Sequence, residues 1–374
     1  MHSTSTWVGT PRARGGGPVR RARRRIAIAG TVALGVAASA CAGASPDLAA
    51  PSRTVPPTAP AALVAGGHVS AGARLGVAGC PLFPVDHAFH ADVRTLPVSP
   101  SSGATIAAAG GAATPVTPGF TNNIWDGSRA GIPVNVVDPA TAVPTNFAVA
   151  AYSSSWSTAT GVPMPRAPRF EGWPGRAWDR HLLLVDPRNC TSRELINVQL
   201  PGENLSAPGS WYADAVDTID LRSTTAPPAG VTASGLSMLS GLVRYDEVAA
   251  GDVGHALSIS LPNIRRSDPV WPAQGTDGRS SDPAAPPMGT WFRLRADADL
   301  SRLGPQARVV ARALQVHGAV LADTGPRLAI GGEPDVRWDD ADLATLAHLD
   351  LGDLQVVDPT PMRATSDPSD LRIR

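Results

Sequence analysis

The chain has 374 residues, and its 32 basic residues, all arginine, balance 32 acidic residues. Seven arginines and no acid lie in residues 1–40, so the remainder has 25 arginines against 32 acids, a net charge of −7. This charge argues against nucleic acid as a partner, because such binding requires a basic surface. The absence of lysine from the sequence excludes a phosphate-loop lysine, a Schiff-base lysine and a Ser–Lys dyad.

The first forty residues have the layout of a bacterial signal peptide. Arginines clustered at positions 20–25 precede an apolar run from Ile26 to Ala37, which is too short for a stable bilayer span. The small residues before Cys41 resemble the lipobox that precedes a lipid-modified cysteine. We therefore predict a signal peptide over residues 1–40 and a membrane-anchoring diacylglyceryl group on Cys41. The alternative is an ordinary cleaved signal with a cysteine close to the cleavage point.

The segment from residue 41 to residue 75 consists mainly of Ala, Pro, Ser, Thr and Gly. Such a composition cannot bury enough apolar surface to offset the entropy lost on ordering, so we predict a disordered tether. Residues 76–374, about 300 residues, are sufficient for one large core, and we predict a single β-rich domain there. We expect the protein to be extracytoplasmic, with its lipid in the cell membrane.

If Cys41 is lipidated, two cysteines remain, Cys80 and Cys190. An even number of cysteines in an oxidising compartment predicts that they form a disulfide. The alternative is a pair of buried thiols. A bridge that closes a loop of about 110 residues would add at most about 4–5 kcal/mol to stability in the chain-entropy treatment.

Short apolar runs, separated by proline and glycine every eight to twelve residues, predict a mainly β domain. We expect a jelly-roll-like sandwich or barrel, with Cys190 at or just after the tip of a hairpin. The predicted strands are Val134–Val137, Phe147–Tyr152, His181–Val185, Leu195–Leu200, Ile219–Leu221, Leu242–Tyr245, Ala256–Leu261, Trp291–Leu294, a strand in residues 318–325, and Leu354–Asp358.

Two short helices are predicted near the C-terminus. From Pro305 to His317, apolar residues recur near helical spacing, with proline in the first turn and Gly318 as the stop signal. A second helix is expected from Leu343 to Leu349, capped by Asp339 or Asp340.

A first candidate site lies between residues 171 and 181. Glu171, Asp179 and His181 flank two tryptophans, Trp173 and Trp178. Indole faces stack on sugar rings, and paired carboxyl groups can protonate a glycosidic oxygen and activate the attacking group. Alternatively, His181 and Asp179 form a base and its orienting residue. The competing interpretation is a surface loop that leads into a strand, with Asp179 as its cap.

A second candidate site consists of Asp246, Glu247 and His255. A predicted turn between residues 248 and 254 would bring these side chains to one strand end, beside Tyr245. The competing interpretation is an ion pair between Arg244 and one of the two acids, closing a hairpin. We retain all three as candidate catalytic residues.

The remaining motifs support neither a cofactor nor a metal. Dinucleotide-binding and zinc-protease motifs are missing from the sequence, and Gly235–Gly241 does not have the spacing of a serine-nucleophile elbow. His87 and His90 would face opposite sides of a strand, so we predict no metal there. Trp271 joins Trp173 and Trp178 as a candidate ligand-binding aromatic residue.

Several motifs resemble a family of uncharacterised secreted proteins from soil bacteria and fungi. The resemblance covers roughly residues 80–358, and its motifs include Cys80–Pro84, Asp179–His181, Val243–Val248, Pro286–Gly289 and Ala322–Gly325. The resemblance implies that Cys80 and Cys190 belong together and that the body is one unit; it implies no established reaction. The chain departs from the family pattern in three places. Thr324 stands in place of asparagine, Gln274-Gly275 stand in place of Arg-His after Trp271-Pro-Ala, and Asp86, His87, Phe89 and His90 stand where the family has asparagine and tryptophan after the first motif.

Together these observations predict an exported envelope lipoprotein that binds or cleaves an extracellular polysaccharide. An enzyme would draw its carboxylates and imidazoles from Glu171, Asp179, His181, Asp246, Glu247 and His255. The alternatives are a non-catalytic module that binds glycan or protein through its tryptophans, and a structural envelope protein. Convergence of the six side chains in one cleft would favour the enzyme.

Overall fold

The structure is a computed structural model that describes residues 76–125, 127–150, 159–175, 179–227 and 231–374. The predicted signal peptide, Cys41, the predicted tether over 41–75 and Trp178 lie outside the described residues. Among the residues described, no helix is both long enough and apolar enough to span a membrane.

Short strands dominate the described chain, which confirms the mainly β prediction. The strands are β1 (Thr117–Pro118), β2 (Ile124–Trp125), β3 (Ser128–Arg129), β4 (Val134–Val136), β5 (Val143–Thr145), β6 (Phe147–Val149), β7 (Val162–Met164), β8 (Leu182–Asp186), β9 (Thr191–Ile196), β10 (Trp211–Ala213), β11 (Ala215–Asp220), β12 (Leu257–Leu261), β13 (Trp291–Leu294), β14 (Ala319–Thr324), β15 (Ala329–Ile330) and β16 (Leu354–Val357). The helices are α1 (Ser102–Ala109), α2 (Tyr245–Ala250), α3 (Pro305–Val316) and α4 (Asp340–Ala344).

The larger sheet is mixed, with the strand order β1-β15-β12-β14-β13-β16. Strand β12 pairs with β14 in parallel, whereas β13 is antiparallel to both β14 and β16. Helix α3 connects β13 to β14 and packs on the sheet through residues such as Val310 and Leu314, which are buried in the same apolar cluster as Phe292 and Leu321. This packing fixes the buried part of β14, whose last two residues, Asp323 and Thr324, are half-buried and exposed, respectively.

The smaller sheet has the order β11-β9-β8-β4. Strands β8 and β9 form the predicted hairpin, in which Leu182 pairs with Leu195 and Asp186 with Thr191. All five residues of β8 are buried, because alternate side chains enter apolar clusters on opposite faces of the sheet. The strand therefore holds the residue that precedes it, His181, in the interior.

The predicted disulfide is confirmed. Cys80 and Cys190 are bonded, with an S–S distance of 2.10 Å and a sequence separation of 110 residues. Cys190 lies in the turn between β8 and β9, with a φ of 54°. The bridge thus connects the start of the described chain to the tip of this hairpin.

The predicted C-terminal helices are present, with a shift in the second. Helix α3 begins at Pro305 and ends at Val316, and Gly318 has a φ of 70°. Asp339 caps α4 by accepting hydrogen bonds from the amides of Ala341 and Asp342. A 3₁₀ turn over Thr345–His348 continues α4.

The predicted strand Leu242–Tyr245 and the turn after it are wrong. Val243 makes only an isolated parallel bridge to Gly332, and helix α2 begins at Tyr245 and covers the start of the predicted turn. The amide of Arg244 donates to Oε2 of Glu247 at 3.1 Å, which is one half of a capping box. Gly251, with a φ of 88°, ends the helix. An apolar run as short as Leu242-Val243 has no period that distinguishes a strand from the entry to a helix.

Candidate active site

Glu171 and His181 form a buried pair. The Nδ1 atom of His181 lies 2.6 Å from Oε2 of Glu171, and the His181 amide donates to the same oxygen at 3.3 Å. The amide of Glu171 in turn donates to the His181 carbonyl at 2.9 Å. These bonds connect two residues ten positions apart and fix the orientation of the imidazole, which is 5% exposed.

Both side chains line a cavity of about 190 Å³. Asp179 and Asp323, the latter from β14, line the same cavity, together with Ser237 and an apolar wall that includes Leu236, Met238 and Ile259. A second cavity of about 470 Å³ shares Asp179, His181, Thr232 and Asp323 with the first and adds Asp214 and Asp277. We call these two adjoining cavities the acidic cleft.

The charges in the acidic cleft perturb one another. Burial disfavours the imidazolium, but the charge and hydrogen bond of Glu171, with the charges of Asp179 and Asp323, raise the pKa of His181 to about 9. The pKa of Asp323 is raised to about 6, mainly by burial; the charge of His181 and the hydrogen bond from the Thr324 amide oppose the rise, and the charges of Asp277 and Asp179 add to it. Near neutral pH, His181 is therefore a cation with two N–H donors, and Asp323 titrates close to the working range of a general acid.

The second ring nitrogen of His181 is unpartnered in a side chain that lines the acidic cleft. Nδ1 is bonded to Glu171, whereas Nε2 has no hydrogen-bond partner among the described residues. Nε2 is also not among the fully buried, unpartnered polar atoms of the described chain, so it retains accessible surface. Since His181 lines both cavities, this surface is available to a ligand.

A buried acid supports one wall of the acidic cleft. Glu194, which is fully buried on β9, accepts hydrogen bonds from Oγ of Ser237 at 2.6 Å and from the amide of Met238 at 2.8 Å. Burial raises the pKa of Glu194, while the bonds that it accepts lower it. Ser237 is therefore a donor that holds its loop in place, in agreement with the failed nucleophile-elbow spacing.

The second predicted site does not line the acidic cleft. Arg244 and His255 both contact Glu247: an Arg244 Nη2 atom pairs with Oε1 of Glu247, and Nε2 of His255 lies 3.3 Å from the same oxygen. Glu247 is 3% exposed and His255 is 1% exposed. Asp246 lies at the surface, where it pairs with Arg337 at 2.9 Å.

Helix α2 explains why Asp246 and Glu247 separate. Successive residues of a helix point about 100° apart, so one carboxylate enters the core while the other meets solvent. The ion pair expected as the competing interpretation, between Arg244 and one of these acids, is present, although it lies in a helix cap and not in a hairpin. The six predicted residues are thus divided into one group at the cleft and another outside it.

The tryptophans differ in accessibility. Trp173 is 38% exposed and packs against Phe170, with the guanidinium of Arg180 at 5.3 Å from its ring. Trp271 is 7% exposed, stacks near Trp291, and donates from Nε1 to the Asp370 carbonyl at 3.1 Å. With its ring covered and its N–H bonded, Trp271 has little surface for a sugar ring.

Sequence reasoning missed Asp323, Ser237 and Glu194. Asp323 lies in Ala322–Gly325, one of the resemblance motifs, and this motif is the signal in the sequence that points to it. Within the described chain, no group of three or more His, Cys, Asp or Glu side chains is arranged to hold a metal ion. Comparisons with models of protein families, with curated proteins and with solved structures find no match to this chain.

Proposed function

We propose that this protein is an exported, lipid-anchored envelope protein that binds or cleaves an extracellular polysaccharide in the acidic cleft. The observation that carries the proposal is the meeting of Glu171, Asp179, His181 and Asp323 around one cavity with an apolar wall. Carboxylates accept hydrogen bonds from sugar hydroxyls, and an apolar wall receives the face of a sugar ring.

Cleavage of a glycosidic bond requires a proton donor at the leaving oxygen and a second group that acts as base or nucleophile. Asp323, whose pKa is raised to about 6, is the proposed donor. Asp179, which is exposed and lines both cavities, is the proposed base or nucleophile. His181, oriented by Glu171, donates a hydrogen bond from Nε2 to the bound sugar.

The export assignment is part of the same proposal. The Cys80–Cys190 disulfide supports it, because such bonds persist mainly in oxidising compartments. The jelly-roll arrangement remains a prediction, and the parallel pairs β12–β14 and β4–β8 argue against it, since jelly rolls are built from antiparallel strands.

A glycan screen of the purified protein, with both binding and release of reducing ends as readouts, tests the proposal. We expect release that falls at least about 100-fold in Asp323→Asn, the magnitude of a lost general acid. Asp252→Asn, at an exposed acid on the turn after α2, is the matched control and should leave release unchanged. Binding without release would favour the non-catalytic recognition module. The absence of both binding and release would contradict the proposal.

A further inference from the structure

Apart from Glu171, which is paired with His181, the acids of the acidic cleft have no arginine partner among the described residues. Asp214 accepts hydrogen bonds from Asn197 and Tyr212, Asp277 accepts from Thr324, and none of these donors is charged. Asp323 accepts from the Thr324 amide at 2.8 Å. No arginine lines either cavity among the described residues, and Arg180, although adjacent in sequence to His181, pairs with Glu203.

Elsewhere the chain pairs its acids with arginine repeatedly. Aspartates bond to an arginine two residues away in the pairs Asp92–Arg94, Asp186–Arg188, Asp220–Arg222, Asp335–Arg337 and Asp370–Arg372. The acids of the cleft are therefore an exception to the local pattern. Because like charges raise the free energy of a partly buried site, a bound cation would relieve their repulsion.

His181 adds an independent requirement on the ligand. Its side chain is buried and lines the same cavities as the carboxylates, and its Nε2 has no hydrogen-bond partner among the described residues. Burial opposes the imidazolium form, but the charges of Glu171, Asp179 and Asp323 outweigh it and raise the pKa of His181. In that form Nε2–H is a donor and needs an acceptor oxygen on the ligand, which a simple polyamine does not have. The ligand therefore combines a positive charge with a neighbouring oxygen.

The size and walls of the cleft add a third requirement. The first cavity, of about 190 Å³, is smaller than the roughly 300–1,000 Å³ of pockets that enclose drug-sized ligands. It therefore suits one ring and not a large group. Leu236, Met238 and Ile259 offer that ring an apolar surface.

We propose that the acidic cleft binds an amino sugar with a free, protonated amine, as part of a partly deacetylated polysaccharide. This inference rests on the proposed function. The ammonium group lies among Asp179, Asp277 and Asp323, and a hydroxyl or ring oxygen accepts from Nε2 of His181. N-acetylation removes the charge, and a uronic acid reverses it, so both modifications weaken binding.

Isothermal titration of the purified protein with two tetrasaccharides of the same linkage tests this specificity. The probes are the β-1,4-linked tetramers of glucosamine and of glucose, used below the pKa of the amine. We expect the amino form to bind at least about tenfold more tightly, equivalent to about 1.4 kcal/mol. Added salt should reduce this preference, because it screens the charge contacts.

Two variants identify the residues involved. Asp323→Asn and Asp277→Asn, which preserve shape, should each reduce the preference for the amino form severalfold, and the control Asp252→Asn should not. Equal affinity for the two tetramers, or a preference that survives both substitutions, would overturn the amino-sugar inference while leaving polysaccharide binding intact. Failure of every glycan to bind would overturn the proposed function together with the inference.

Discussion

Two histidine–glutamate pairs lie in the described part of the chain, and their surroundings differ. In the His255–Glu247 pair, Nδ1 of the histidine lies 2.8 Å from the Ala256 carbonyl oxygen, and Nε2 contacts the glutamate. In the His181–Glu171 pair, Nδ1 contacts the glutamate, and Nε2 has no hydrogen-bond partner among the described residues in a side chain that lines a cavity. The first pair has both imidazole nitrogens occupied, whereas the second has one nitrogen available.

The charge balance also differs. Arg244 adds a permanent cation beside Glu247, so the buried carboxylate is compensated at every ordinary pH. His181 is instead surrounded by an excess of carboxylates. A buried polar group with all its bonds made contributes to the fold, and one with an unused bond beside a cavity is available for function. The residue types alone do not distinguish these two cases.

Removal of each glutamate should give the largest difference between the two pairs, measured as the loss in free energy of unfolding. We expect Glu247→Ala to lower the free energy of unfolding by about 3–5 kcal/mol, because it removes the carboxylate that compensates the charge of the buried Arg244. Glu171→Ala should cost about 1–2 kcal/mol, because His181 can release its proton and arginine cannot. Urea denaturation measures both losses.

The surface neighbour of Glu247 provides the control for this comparison. Asp246→Ala removes an exposed pair with Arg337 and should change the free energy of unfolding by less than about 1 kcal/mol. Equal losses in Glu247→Ala and Glu171→Ala would mean that the two pairs contribute in the same way, contrary to our interpretation.

The contributions of the two pairs to stability should also depend on pH with opposite signs. The pKa of His181 is about 9 in the folded protein against an ordinary 6.5, so its stabilisation is complete below pH 6.5 and is lost as pH rises through 9. The pKa of Glu247 is lowered: burial opposes this shift, but His255 and Arg244 outweigh it. Its stabilisation is therefore present above its unfolded pKa of 4.5 and is lost in acid.

Urea midpoints measured from acid to alkaline pH test these signs. We expect a decrease of up to about 3 kcal/mol in unfolding free energy between pH 6.5 and pH 9, from the shift of His181. His181→Gln should remove most of that decrease and leave the acid side of the profile unchanged. If His181→Gln keeps the decrease in unfolding free energy at alkaline pH, another group causes that decrease.

We expect a smaller change in the free energy of unfolding at a like-charged pair that includes Glu194, the acid that supports one wall of the acidic cleft. Asp217 on β11 pairs in register with Glu194 on β9, and burial, followed by the charge of Glu194, raises the pKa of Asp217 to about 7. Asp217→Asn should stabilise the protein by about 1 kcal/mol at pH 8.5, where the wild-type carboxylate is ionised, and give little gain at pH 5.5. Equal gains at both pH values would show that charge is not the cause.

Local patterns along the chain were sufficient for much of the fold. The turn between two apolar runs predicted the β8–β9 hairpin, and Pro305 with Gly318 predicted the limits of α3 within a residue. The even number of cysteines remaining after Cys41 predicted the Cys80–Cys190 bond. Each prediction depends on spacing, on turn chemistry or on a count, all of which are properties of the sequence itself.

The composition of the candidate site depended on the tertiary structure. Asp323 meets His181 although 142 positions separate their numbers in the sequence, because β14 and the start of β8 belong to different sheets that adjoin at the cleft. Glu247 and Glu171 are the same residue type in similar apolar contexts, and the nearby Arg244 in one case and the cavity in the other set their roles. The sequence by itself determined strands, turns, one disulfide and one helix, whereas long-range packing decided which acids share a cavity, since no local period encodes such contacts.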